Sequence, residues 1–216
     1  LVGSEMCIRD RAGQVQFVLT LFLFGLTSGA AVLTAQYWGK KDMRTIEKVM
    51  GIAFRFSIIV SVIFLLAVQI FPAQVMSIFT PEQPVIDEGV KYLRIVSFTY
   101  LLCAVTQVYL NVMRSVERVV IATVTYSVSL IVNIVINGIL IFGLLGFPRL
   151  GIVGAAIGTL IARIVEVLIV VVYAKTKSIL NFKLRDLFVR DKLLFQDFIR
   201  YAIPVTLNEL MWGTGC

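Results

Sequence analysis

Four stretches of this chain carry no charged residue at all: 12–39, 56–81, 95–113 and 119–148. A bilayer-spanning helix needs about 20 mainly apolar residues, and each stretch is long enough or nearly so. Only 15% of the 216 residues are charged and 59% are hydrophobic. A soluble domain carries about 25% charged residues. The pattern predicts an all-α, polytopic helical membrane protein. Five complete spans are expected at 14–38, 50–72, 92–113, 119–145 and 152–174, with a truncated sixth from 199 to the end.

The net charge of +7 is distributed by topology. Lys40, Lys41, Arg44 and Lys48 crowd the first connection. The next holds Lys91 beside Glu82, Asp87 and Glu88, and "RSVER" is basic again. "GFPRLG" has one arginine, whereas 175–200 holds seven basic residues, from Lys175 to Arg200. Basic loops stay in the cytoplasm, so the first span is expected to run from outside to inside. A basic patch built this way does not call for nucleic acid. Leu180, Leu184, Leu187, Phe188, Phe195 and Phe198 recur at helical spacing among basic residues. Such a pattern predicts an amphipathic cytoplasmic connector over 175–198.

Arg9 and Arg11 sit on the side where that topology disfavours positive charge. "LVGSEMCIRDR" resembles translated sequencing-adapter sequence, and residues 1–11 are set aside as non-native. A first helix entering from the cytoplasm is expected upstream. Cys7, Cys103 and Cys216 are scattered, which suggests neither a disulfide framework nor a metal site. Histidine is absent, and no H-E-x-x-H, G-x-S-x-G or phosphate-binding glycine loop occurs. These observations argue against an intramembrane enzyme and an ATP-driven pump.

Five stretches occur in one order: "TSGAAVLTAQYWGKKD", "TPEQPVIDEGVKYLRI", "VMRSVERVVIATVTYSVSLIVNIVINGILIFG", "FPRLGIVGAAIGTLIARIVE" and "IPVTLNELMW". Together they resemble the multidrug and toxic compound extrusion (MATE) family of secondary exporters, from its second helix to the opening of its seventh. The resemblance implies one lobe of a two-lobe, twelve-helix transporter, with 12–174 as five helices of the first lobe. It makes 175–198 the connector and 199–216 the first helix of a second lobe that lies elsewhere on the same polypeptide. It further implies a multi-pass protein of the inner (plasma) membrane. Cationic or amphipathic drug-like compounds would leave in exchange for Na+ or H+, with no other cofactor. A lipid-linked oligosaccharide flippase is the alternative, though few Lys or Arg fall inside the spans to meet a pyrophosphate.

Asn133 and Asn137 stand one helical turn apart in a strongly apolar run. Polar side chains in a bilayer face the bundle interior, as packing glue or as lining of an ion path. The resemblance implies cavity lining: the family's fifth helix carries Asn followed four residues later by Asp or Asn. An amide cannot titrate, so Asn137 would coordinate Na+ or organise hydrogen bonds. Glu209 is the acid of the last segment and a candidate for coupling or substrate binding. Some family branches place an acid eight residues after the helix's proline, where this chain has Trp212. Glu209 lies five after Pro204. Gln36 is a further candidate, and Gln107 and Asn111 are polar span positions read first as glue. Arg163 and Glu166 are spaced i, i+3 and can pair within the membrane. "GAAVLT" (29–34) and "GAAIGT" (154–159) are small-residue faces suited to close helix approach.

Overall fold

The computed structural model describes the backbone of 2–78, 82–142, 150–176 and 191–214, and the side chains of 13–78, 82–141, 150–176 and 191–212. All the elements described are helices: α1 (Val2–Gly39), α2 (Met43–Ile70), α3 (Pro72–Ser77), α4 (Gln83–Val96), α5 (Thr99–Ser115), α6 (Val119–Phe142), α7 (Gly151–Thr176) and α8 (Lys192–Thr214). Four of these are long and apolar enough to cross a membrane, or five if α4 and α5 count as one bent span.

Local chemistry sets the breaks. Between α1 and α2, Lys41 takes a left-handed φ of 58° and lets the chain reverse. Asp42 then caps α2: Oδ1 accepts from the Thr45 N–H at 3.1 Å and Oδ2 from the Thr45 hydroxyl at 2.6 Å. The Thr45 hydroxyl holds the Asp42 carboxyl below its usual value of 3.8, and the Thr45 N–H adds to this. At the far end, Pro72 lacks an amide hydrogen, so α2 stops and α3 starts on it.

The expected third span, 92–113, is not one straight helix. It starts earlier, at Gln83, and bends by 50° between α4 and α5. Periodicity could not reveal the bend, because the side chain that stabilises it comes from α2. Gln69 Nε2 donates to the Arg94 carbonyl at 3.0 Å and to Ser97 Oγ at 2.9 Å. Ser97 Oγ donates to the same carbonyl at 3.0 Å. A carbonyl near the break thus keeps partners, which a helix kink inside a bilayer requires.

Two apolar clusters fill the bundle. One holds Leu33, Ile46, Met113, Ile121, Val170 and Phe198, and it gathers the helix ends that carry the basic residues. The other, towards the opposite end, includes Leu19, Val68, Leu93, Tyr100 and Ala156. Ile63 and Ile70 on α2 and Leu130, Ile131 and Ile134 on α6 stay exposed, as lipid-facing residues would.

Both small-residue faces are used for close packing. On α1, a Cβ at Gly29 would meet the Ala202 Cα of α8 at 2.7 Å, and one at Gly25 would overlap Thr206. On α7, a Cβ at Gly154 would lie 3.0 Å from the Leu140 backbone of α6.

The expected connector over 175–198 lies mostly outside the described residues, at 177–190. Its last part is helical and continuous with α8, which starts at Lys192 instead of 199. Asp191 caps that start, accepting from the Leu194 N–H at 3.4 Å, and pairs with Lys48 of α2 at 3.3 Å. Phe198 is fully buried and stacks on Phe56 of α2, centroids 5.8 Å apart. At Phe198 the expected apolar face packs against α2. Among the described residues α8 is long enough but not apolar enough to count as a span, since Lys192, Asp197, Arg200 and Glu209 interrupt it.

Candidate functional site

Among the described residues, two sets of polar side chains bear on a site within the spans. The first lies on the seam of α6 and α7. Asn137 Nδ2 donates to Asn133 Oδ1 at 2.9 Å, so the two amides act as one unit along α6. Asn137 Oδ1 is buried, accepts no hydrogen bond among the described residues, and points at the space left by Gly158 of α7. An unmatched buried acceptor costs about 1–3 kcal/mol. It is also the type of atom that a cation or a water could use.

The second group crosses four helices. Asn111 Nδ2 on α5 donates to Thr27 Oγ of α1 at 3.1 Å and to the Gln107 carbonyl at 3.0 Å. The Tyr126 hydroxyl of α6 donates to Gln107 Oε1 at 3.2 Å, and the Arg114 guanidinium lies 5.3 Å from the Tyr126 ring. Beside them on α7, Arg163 Nη1 donates to Glu166 Oε1 and Oε2 at 2.7 and 2.8 Å. Thr106 Oγ of α5 stands 3.4 Å from Glu166 Oε2.

Of the four residues singled out from the sequence, only Asn133 and Asn137 come together. Gln36 is exposed near the Gly39 end of α1. Glu209 is partly exposed on α8, which packs on α1 and lightly on α2 but not on α6 or α7. Thr27, Thr106 and Tyr126 were not signalled by the sequence, because single hydroxyls are common in apolar helices. The i, i+4 spacing of Gln107 and Asn111, the same as that of the two asparagines, was a usable signal. A cavity of about 180 Å³ beside α1, α2 and α3 is walled by apolar side chains, among them Val15, Phe64 and Val68, and offers a cation no ligand.

This architecture can be set beside known proteins. Residues 11–139 match the MatE family model. The chain belongs to the MATE family. Members of this family are membrane transporters and not enzymes. Over 198 residues the chain is 28% identical to "Probable multidrug resistance protein YoeA" of Bacillus subtilis (strain 168), covering 90% of this chain and 43% of that protein. In fold it is similar to a crystal structure of MATE in the bent conformation, with TM-score 0.86 and 20% identity over 96% of this chain and 46% of that one. It is similar as well to the inward-facing conformation of a multidrug resistance MATE family transporter of the MOP superfamily. There the TM-score is 0.84, with 21% identity over 97% of this chain and 47% of that one. This MATE chain thus spans about half the length of the proteins it matches.

Proposed function

We propose that the complete protein is a secondary antiporter of the plasma membrane that exports cationic or amphipathic compounds in exchange for Na+ or H+. The observation that carries this reading is the α6–α7 seam, where two coupled amides leave one buried oxygen unpartnered within a MATE fold. The multidrug resistance names of the curated relatives and of the inward-facing transporter support the substrate class. Aromatic and apolar cavity faces would hold the body of such a cation by contact area and cation–π attraction. A second lobe on the same polypeptide would complete the cavity, and Glu209 on α8 would bring a carboxylate to it. Transport would then be rocking of one lobe against the other around a midplane site.

The test is export of ethidium or a cationic rhodamine dye from vesicles containing the protein expressed from its complete reading frame, without ATP, under an imposed H+ or Na+ gradient. Export driven by either gradient is the expected result, and Glu209→Gln should reduce it sharply at an unchanged amount of membrane protein. No gradient-driven export of any cationic dye by the wild type would overturn the reading.

A further inference from the structure

The proposed transport cycle leaves one buried charged pair without a role. Arg163 stands at the midpoint of the 26-residue helix α7, with Glu166 one turn further on. Glu166 is 1% exposed. Among the described residues it is the one carboxylate buried near the middle of a span. Glu47 lies near the start of α2, and Glu209 is partly open. An ion pair at this depth adds little stability, because removing both charges from water offsets their attraction. Ionisable groups at the membrane midplane instead face a bundle interior or a water-filled cavity, and they mark ion paths.

Two features suit this pair to exchange. One nitrogen, Arg163 Nη1, makes both bonds to the carboxylate, while the arginine side chain remains 25% exposed. The arginine side chain is therefore not fully enclosed. The carboxylate is also the hub of its surroundings. Thr106 faces it from α5, where Cys103 is also buried, and nearby the Tyr126 hydroxyl of α6 bonds Gln107 Oε1 while Asn111 bonds the Gln107 carbonyl and Thr27 of α1. The ions of α4, which also packs on α7, are engaged or exposed: Lys91 pairs with Glu88 at 2.6 Å, and Arg94 faces outward.

The donor set selects the ion. A hard metal cation collects about six oxygen ligands, whereas this site offers one carboxylate and one hydroxyl beside a fixed positive charge. No cluster of three acidic, Cys or His side chains occurs among the described residues. A proton needs only one lone pair.

We propose that Glu166 is a proton-exchange site of the transport cycle, with Arg163 as the resident cation that an incoming proton displaces. The proposal rests on the exporter reading above. In the step, a proton from water forms an O–H bond on the Glu166 carboxylate, and the two Nη1 hydrogen bonds break. Arg163 keeps its charge and turns from the neutral carboxyl, and the Thr106 hydroxyl of α5 no longer faces an anion. Loss of the proton to water on the other side restores the pair.

The experiment measures dye export by the complete protein in vesicles across pH, with melting temperature and dye binding recorded for every variant. Glu166→Gln should abolish proton-driven export. Because that change alone strands a buried arginine, the deciding variant is Arg163→Gln/Glu166→Gln, in which two amides replace the pair. It should melt near wild type and bind dye but show no proton-driven export. Arg163→Gln alone should shift the pH profile of export, which a merely structural pair would leave unmoved. If the double variant exports with the wild-type pH profile, the pair is structural and this proposal fails alone. If the wild type exports dye under a Na+ gradient only, the proton assignment fails while the exporter reading stands. A wild type that exports under neither gradient overturns both.

Discussion

Asn137 gives one hydrogen bond to Asn133 and keeps its own oxygen unpartnered against Gly158. The glycine is there for space, because a Cβ at 158 would overlap that oxygen. Gly158→Leu should therefore force α6 and α7 apart and cost about 1–3 kcal/mol, as overpacking does. The measurement is a detergent melting curve, and an unchanged midpoint would mean that the seam is looser than described. Asp42 offers a pH test at the same scale. Its carboxyl is held below 3.8, chiefly by the Thr45 hydroxyl. A depressed group stabilises the fold above its unfolded value, and that contribution is lost as pH falls through the folded one. Acid below about pH 4 should therefore loosen the start of α2 in the wild type. Asp42→Asn can still cap but cannot titrate, and should remove that part of the acid sensitivity in melting curves recorded against pH.

Among the elements, the α4–α5 bend depends most on a distant residue. Gln69 reaches from α2 to the carbonyl and hydroxyl at the break. Gln69→Leu removes both contacts while Ser97 Oγ still bonds the Arg94 carbonyl, and should cost about 0.5–1.5 kcal/mol, the net worth of a hydrogen bond. Spin labels at Asp87 on α4 and Arg114 on α5 should show a broader distance distribution in that variant. An unchanged distribution would place the cause of the bend within α4 and α5 themselves. The close α1–α8 and α6–α7 contacts have a simpler origin, since each sets glycines one turn apart on one helix against its neighbour.

For the whole molecule, the grouping of basic helix ends at one pole fits a single cytoplasmic face. In a cysteine-free background, Thr176→Cys should resist a membrane-impermeant thiol reagent applied to intact cells, while Glu82→Cys should react. Both positions are exposed in the structure. Labelling of Thr176→Cys from outside would invert the topology.

Apolar block length was enough to determine the class of this protein, because a bilayer demands about 20 apolar residues whatever the neighbours are. Composition along the chain also determined where the basic poles lie, and Gly/Ala spacing marked two faces for close helix approach. The i, i+3 spacing made the Arg163–Glu166 pair legible, and the i, i+4 spacing made the Asn133–Asn137 pair legible, since each pair lies on one helix. Contacts between helices were not legible. Gln69 at the bend, Asn111 on Thr27, Tyr126 on Gln107 and Phe198 on Phe56 join residues that are between 19 and 142 positions apart. Helical periodicity says which face of a helix is apolar. It does not say which neighbour meets a given polar atom, and only the packed bundle decided that, because a polar group in an apolar medium takes whichever partner packing brings within reach.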